Sequence, residues 1–416
     1  MNTFKSMVKI GLAYLGVIIG AGFASGQEMF QYFVSFGKMG IWGLIISSIL
    51  FIVGGVVLLQ FGSYYKAQEH SEVFNHISSP FISKVIDFLI NMTLFCTGFI
   101  MIAGAGTNLN QQFGWPIWVG ALLVSILVIV TGYMDVDKVT GLIGMVTPFV
   151  IVFLLGIFIH TLNTMPIPYE EAMATAAAQT TTLPNWLIST LNYTSLALML
   201  AISMAVVIGG EEYSPKQAGL GGLFGGVLVG ALLFASFFSI SLNIDGVLGS
   251  SMPLLTLFDN LDPRLGVAMA IIIFGMIYNT AIGMYYALAK RVSRSKPENF
   301  SRNMIILVGI GFVLSFAGFD TLVAYLYPFI GYCGFFVIGL LIIQWAIRYR
   351  HIHREIQVRD ELIKMEVDRQ DEDYEFGREE AADMRALYDE SRVDNKELYD
   401  EVTELGQDMT NDTEDD

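Results

Sequence analysis

Apolar stretches of membrane-spanning length follow one another from residue 7 to about residue 347, separated by short polar or Gly/Pro-rich turns. Hydropathy, turn and charge signals divide them into ten spans. The first five cover about 7–36, 40–64, 82–109, 115–133 and 141–162, and the second five about 186–210, 219–242, 264–290, 302–318 and 321–347. Residues 163–185 are rich in Thr, Ala and Pro, and Pro166, Pro168 and Pro184 mark an exposed connection between the halves. The pattern predicts an all-α integral membrane protein, with a ten-span bundle over residues 1–350 and a separate tail over 351–416.

The opening span is too long. Thirty apolar residues in one helix would extend about 45 Å, against a hydrocarbon core of about 30 Å. Inside it lies Gly20-Ala21-Gly22-Phe23-Ala24-Ser25-Gly26, the natural place for a bend or break. Irregular backbone at that depth survives only where protein or a water-filled cavity surrounds it, and its freed N–H and C=O groups can then hold a solute or an ion. The competing reading of Gly20 and Gly22 is close helix packing of the small-xxx-small kind.

Five spans per half means that the second half enters the bilayer from the opposite side. Repeats over about 5–163 and 184–348 would then be inverted, with a site near the midplane between discontinuous helices. Gly26-Gln27-Glu28 and Gly210-Glu211-Glu212, 184 residues apart and each followed by a glycine-rich helix, suit that plan.

Composition agrees: 54% of residues are hydrophobic. The net charge of −16 is a property of the tail alone, because residues 351–416 hold 8 basic and 24 acidic residues while 1–350 hold 15 of each. No basic surface for nucleic acid is visible. With the N-terminus inside, fourteen Lys and Arg up to residue 354 fall on the cytoplasmic side and only Lys38 and Arg264 outside. The positive-inside rule therefore predicts a multi-pass cell-membrane protein with both termini cytoplasmic. The tail alternates charge signs around Leu362, Ile363, Val367, Leu387, Leu398, Val402 and Leu405. It reads as exposed or lightly packed helices ending in disorder from Asp408, with residues 355–405 available to a protein partner or to self-association.

Enzyme chemistry is not indicated. No phosphate-cradling Gly-x-x-x-x-Gly-Lys is present, and none of the five histidines has metal-ligand spacing with Cys or Glu inside the bundle. Cys96 and Cys333 sit within apolar spans as packing residues. No cofactor is expected beyond Na⁺ or H⁺ as a coupling ion.

Val17-Ile18-Ile19-Gly20-Ala21-Gly22-Phe23 resembles the first-helix signature of the amino acid–polyamine–organocation transporter superfamily. Gly209-Gly210-Glu211-Glu212-Tyr213-Ser214-Pro215-Lys216 is similar to the end of their sixth helix, and the string from Gly20 to Glu28 resembles YkvI-type bacterial membrane proteins. The resemblance, over roughly residues 5–350, implies the LeuT-like five-plus-five inverted-repeat fold with helices one and six unwound midway. It places the first unwound segment at Ile19 to Phe23 and the second at about Met199 to Ser203, although the latter lacks the usual glycine.

On this reading Gly20, Ala21, Gly22, Phe23 and Ser25 of span one, Met199 and Ser203 of span six, and Asn91 of span three contact the solute. Val17, Glu28, Asn279 and Thr280 are the candidates for ion coupling. Glu28, the acidic residue within span one, serves as a proton-coupling carboxylate or amine contact, or else caps a short outer half-helix. Asn279 and Thr280 meet helix one at an ion site or make interhelical hydrogen bonds. Asn192, Tyr193, Thr194 and Ser195 would line an outer vestibule, while Asp87 would cap its helix or pair with Lys84. The function expected is ion-coupled secondary transport of a small organic solute, an amino acid by resemblance, through alternating access. The alternative is a membrane solute receptor that signals through the C-terminal tail.

Overall fold

The computed structural model describes residues 3–134, 146–370 and 374–414, and the beginning of the expected fifth span, with Lys138, lies outside them. Among the described residues there is no strand, and eight helices are long and apolar enough to cross a membrane.

In chain order, α1 (Thr3–Ile18), α2 (Ala21–Ser25) and α3 (Gln27–Tyr32) make up the first span. Then come α4 (Lys38–Tyr65), the short α5 (His70–Ile77), α6 (Pro80–Phe113), α7 (Ile117–Thr131) and α8 (Thr147–Thr164). The second half runs α9 (Tyr169–Ala177), α10 (Trp186–Gly210), α11 (Pro215–Ser241), α12 (Pro253–Leu261), α13 (Pro263–Val292) and α14 (Phe300–Leu314). Last are the 52-residue α15 (Phe319–Gln370), α16 (Arg378–Glu390) and α17 (Asn395–Glu414). The first span is broken and α7, in the fourth, has 15 residues; α14 is as short, but a 3₁₀ turn at each end extends its span to Pro297–Ala317, 21 residues.

Two short helices bear on the inverted repeat. Between the second and third spans, α5 packs against α10; between the seventh and eighth, α12 packs against α2 and α3. Each half thus covers, at opposite ends of the bundle, the span that occupies the equivalent place in the other half. The connection between halves is more ordered than its prolines suggest, because α9 forms there and buries Ala172, Met173 and Ala176.

Glycine brings the central helices together. A Cβ on Gly222 of α11 would stand 2.4 Å from the Gly55 carbonyl carbon of α4, and one on Gly62 of α4 would stand 2.2 Å from the Val206 oxygen of α10. Backbones in such contact gain dispersion energy without ordering any side chain, which is how helices associate where lipid removes the hydrophobic drive.

The break in helix six does not occur. The α10 helix runs unbroken from Trp186 to Gly210, through Met199 to Ser203. Leu198-Met199-Leu200-Ala201-Ile202-Ser203 has no residue that favours leaving the helical region, and Leu198, Met199, Ala201 and Ile202 are buried against neighbours.

The tail departs from expectation too. The last transmembrane helix continues past the bundle to Gln370, α16 and α17 fold back on it, and α17 stays helical to Glu414 instead of becoming disordered at Asp408. Val358, Leu362, Met384, Tyr388, Val393, Leu398 and Val402 form a small core together with Tyr213 of the bundle. Beside it Arg359, fully buried, pairs with Glu355 at 2.8 Å. Removing one partner of such a pair strands the other, at about 3–5 kcal/mol.

Replacing Gly222 by Leu should separate α4 from α11. We expect a loss of about 1–3 kcal/mol or more, read as a lowered thermal midpoint of the detergent-purified protein. The same change at Gly339, where nothing lies within 4 Å of a Cβ, should leave the midpoint unchanged.

Candidate functional site

The first span breaks twice, and each break has a local cause. The last regular bond of the first segment is Ile19 N–H to Leu15 C=O, 2.9 Å. Gly20 is then extended (φ −99°, ψ −178°) and caps α2, its carbonyl accepting from Ala24 N–H. The second break is Gly26 at φ +81°, in the left-handed region. A Cβ there would also press on Leu254 and Ile240, so conformation and space both require glycine. Ser25 closes this turn: its hydroxyl donates to the Gly22 carbonyl at 2.8 Å and accepts from Gln27 N–H at 3.2 Å.

The irregular stretch is therefore shorter than expected. Only Ile19 and Gly20 leave the helix, whereas Ala21, Gly22 and Phe23 form the first turn of α2. The final carbonyls of α1, from Val17 onward, still lack an intrahelical partner, as at any helix end. They carry the negative pole of a 16-residue helix. Facing Gly20 is Thr280 of α13, its hydroxyl 3.9 Å from where a Cβ would be. Thr280 thus faces the first break at Gly20, with Asn279 next to it in the sequence of α13.

Glu28 comes back to the same place. Its carboxylate fills the volume a Gly22 side chain would need, so that a Cβ on Gly22 would collide with it. Glu28 is 9% exposed, and among the described residues no Lys, Arg or His contributes to its surroundings. Tyrosines enclose it instead. Tyr193 of α10 is placed to hydrogen-bond the carboxylate, and Tyr32 of α3 and Tyr327 of α15 lie near enough to feel its charge. The Tyr32 and Tyr193 rings are 5.3 Å apart, and the buried Tyr32 hydroxyl has no hydrogen-bond partner. Tyr193 thus belongs to this enclosure and not to an outer vestibule. Its neighbours are tied inward as well: Asn192 donates to the Pro328 carbonyl at 2.8 Å, and Thr194 and Ser47 share a bond of 2.8 Å.

Other expected site residues go elsewhere. Met199 is buried within α10. Ser203 and Asn91 enter a second polar cluster that the sequence did not suggest, at the Lys/Arg-rich end of the bundle. Arg291 of α13 donates to Asn91 Oδ1 at 3.1 Å and to Ser203 Oγ at 3.2 Å, and it also bonds His70 Nδ1. Ser203 Oγ is 3.1 Å from the same nitrogen. Asp87 faces His70 Nε2 at 3.5 Å and Arg291 at 3.7 Å and accepts from Asn91 at 3.2 Å, so its partner is not Lys84. Arg291 had counted only as one of a run of basic residues at a span end, and His70 carried no spacing signal. Their meeting depends on α5 folding under α10.

Polar contacts close the opposite end. Gln111 of α6 bonds Thr256 of α12 at 3.0 Å and accepts from Met252 N–H at 3.1 Å. Ser251 donates to Asp320 at 2.6 Å, so that aspartate ties the α12 approach to α15. Beside this seal lies a cavity of about 380 Å³ lined by His160, Asn243, Asp245 and Asn260.

Comparison with known proteins bears on the fold. No family model matches the chain. Two proteins of Bacillus subtilis (strain 168) are similar to it. The uncharacterized membrane protein YkvI is 25% identical over 347 residues, 83% of this chain and 98% of that one. The uncharacterized protein YyaD is 25% identical over 343 residues, 82% and 97%. Among solved structures, MhsT in complex with L-phenylalanine aligns with a TM-score of 0.59 at 15% identity, over 95% of this chain and 98% of that one. Inward-facing Mhp1 aligns at 0.57 and 11%, over 83% and 77%. Over most of its length the chain is thus similar to YkvI and YyaD, and it has the LeuT-like fold that MhsT and Mhp1 share.

The cluster at the basic end predicts a pH dependence. Burial and the neighbouring Arg291 lower the His70 pKa from its usual 6.5, and together they outweigh Asp87 and Glu69, which raise it. A folded-state pKa below the unfolded one means that the unfolded chain takes up the proton more readily. The contribution of the cluster to stability is then whole above about pH 6.5 and falls as the pH drops below that value. A protonated Nδ1 would also face the Arg291 guanidinium. The thermal midpoint should decline between pH 7 and 5, and His70→Gln should flatten that decline.

Proposed function

We propose that this protein is a secondary active transporter that moves a small organic solute, an amino acid in the first instance, by alternating access coupled to Na⁺ or H⁺. The observation that carries the reading is the broken first span with an isolated, buried Glu28 carboxylate against the break. A charge buried without a partner is costly, so the carboxylate is stable when a proton or a cation neutralises it. The negative pole of α1, the Val17 carbonyl and the Thr280 hydroxyl favour the same sign of guest. Coupling follows if the solute and the cation are held together in one closed state and released from another.

The rest of the solute site is assigned to Gly20, Ala21, Gly22 and Phe23, with the tyrosines around Glu28 as its wall. The two polar seals supply the gates that the mechanism requires: the His70–Asp87–Arg291 cluster at the basic end, and Gln111 with Asp320 at the other. On the positive-inside rule the basic end faces the cytoplasm. In the solved relatives of this fold, MhsT was captured with L-phenylalanine, and Mhp1 is a nucleobase-cation-symport-1 family transporter. These support a small-solute, cation-linked reading for this chain.

The test is reconstitution into liposomes, with uptake of a mixed panel of labelled amino acids measured with and without a Na⁺ gradient and a pH gradient. Accumulation of at least one member, driven by one of the gradients, is the expected result; no movement under any gradient would overturn the proposal. Gly22→Leu should reduce uptake by about 100-fold or more, because the new side chain displaces the Glu28 carboxylate from the break, while the protein still elutes as a folded species. Glu28→Gln keeps the shape but removes the titratable group. It should abolish gradient-driven accumulation while leaving solute exchange measurable.

A further inference from the structure

The acidic C-terminal region is attached to the bundle at two places that move if its basic end opens. The first is Arg359, on the extension of α15. One of its terminal nitrogens donates to both the Ser63 carbonyl at 3.1 Å and the Tyr213 carbonyl at 2.6 Å, and the other to the Tyr64 carbonyl at 3.3 Å. Ser63 and Tyr64 belong to the last turn of α4, where the helix pole is negative; the Ser63 carbonyl also accepts from Lys66 N–H at 3.2 Å. Tyr213 follows the end of α10 and returns the contact, its hydroxyl donating to the Arg359 carbonyl at 3.0 Å. Glu355 fixes the guanidinium and in turn accepts from Ser391 Oγ at 2.7 Å and Arg392 N–H at 3.2 Å, which binds the turn after α16 to the same point. The second attachment is Lys66, just past α4, paired with Glu401 of α17 at 2.6 Å, with the lysine side chain 9% exposed.

These contacts bear on the gate through α10. That helix carries Ser203 of the basic-end cluster and ends at Gly210, three residues before Tyr213. Its last two glycines lie backbone to backbone on α4 and the residues just past it: a Cβ on Gly209 would be 2.2 Å from the Leu59 oxygen, and one on Gly210 would be 2.1 Å from the Ala67 oxygen. The inner ends of α4 and α10 therefore shift as one body. Parting Ser203 from Arg291 drags both Tyr213 and Lys66 away from partners fixed on α15 and α17.

Resting on the transport reading, we propose that the C-terminal region acts as an autoinhibitory latch: while Arg359 and Glu401 are engaged, the basic end of the transporter stays closed, and their release speeds its opening. The acidic excess of residues 351–416 is thus put to use on Lys66, and burial of Arg359 makes the attachment specific to this connector.

The experiment uses the full chain in lipid nanodiscs and reads hydrogen–deuterium exchange, which needs no known solute. Glu401→Lys and, independently, Arg359→Gln should each raise amide exchange in residues 63–70 and 203–213 by about tenfold. The swap Lys66→Glu with Glu401→Lys should return exchange to the starting level, which a variant that merely misfolds would not do. In liposomes the two single variants should move labelled amino acids about two- to fivefold faster at unchanged half-saturation, and the swap should restore the original rate. Unchanged exchange in both segments for both single variants would overturn the latch, as would faster exchange confined to residues 355–402. If both segments loosen and the swap restores them while no labelled amino acid moves, the latch stands and the transport reading fails.

Discussion

A polypeptide crossing a bilayer must satisfy its own backbone, and the first span interrupts that pattern at Ile19 and Gly20. Gly20 is extended, and the carbonyls that end α1 are left without helical partners in the middle of a packed bundle. Much of the surrounding structure can be understood as accommodating that interruption. Thr280 approaches it from α13, α12 packs over α2 and α3 from the side, and the Glu28 carboxylate turns back over Gly22 because glycine leaves it room. The three tyrosines then enclose a charge that has no basic neighbour. Polar backbone, carboxylate and hydroxyls are concentrated in one place, and the helices around them remain regular.

That regularity is itself a departure from symmetry. In an inverted repeat the sixth span occupies the place equivalent to the first, yet α10 stays intact through Met199 to Ser203. Breaking one helix exposes several main-chain groups, and the glycines that lower the cost are present at the break in span one and missing from Met199 to Ser203 in span six. The polar contribution of α10 is made by side chains instead, Tyr193 toward Glu28 at the centre and Ser203 toward Arg291 at the basic end. Flexibility is thereby assigned to one half of the repeat, and α10 is left stiff enough to carry displacement from its end to its middle.

Stiffness matters at the basic end, where the seal is electrostatic and the attachments are geometrical. His70, Asp87, Asn91, Ser203 and Arg291 come from four helices, and their mutual distances depend on how those helices lean. Backbone contact between the ends of α4 and α10 links that seal to the connector beneath Arg359. A small rotation of either helix is thus felt simultaneously by the cluster and by the tail, without any continuous chain of side chains between them.

Much of the architecture was legible in the chain itself. The all-helical membrane architecture and the excess length of the opening segment follow from hydropathy and from the 1.5 Å rise of a helix, which hold whatever the neighbours are. The glycine cluster located the break, because a backbone that must leave the helix does so where no side chain resists. The seal at the basic end was not legible. His70 and Arg291 lie 221 residues apart, and each looked ordinary where it stood, a polar loop residue and a positive charge at a helix end. Nor did Arg359 or the docking of α16 and α17 show in a pattern of alternating charges, since a solvated tail and a folded-back one have the same periodicity. Local sequence determines what the backbone of one segment can do; which distant charges come to share a buried space is decided only when the helices pack.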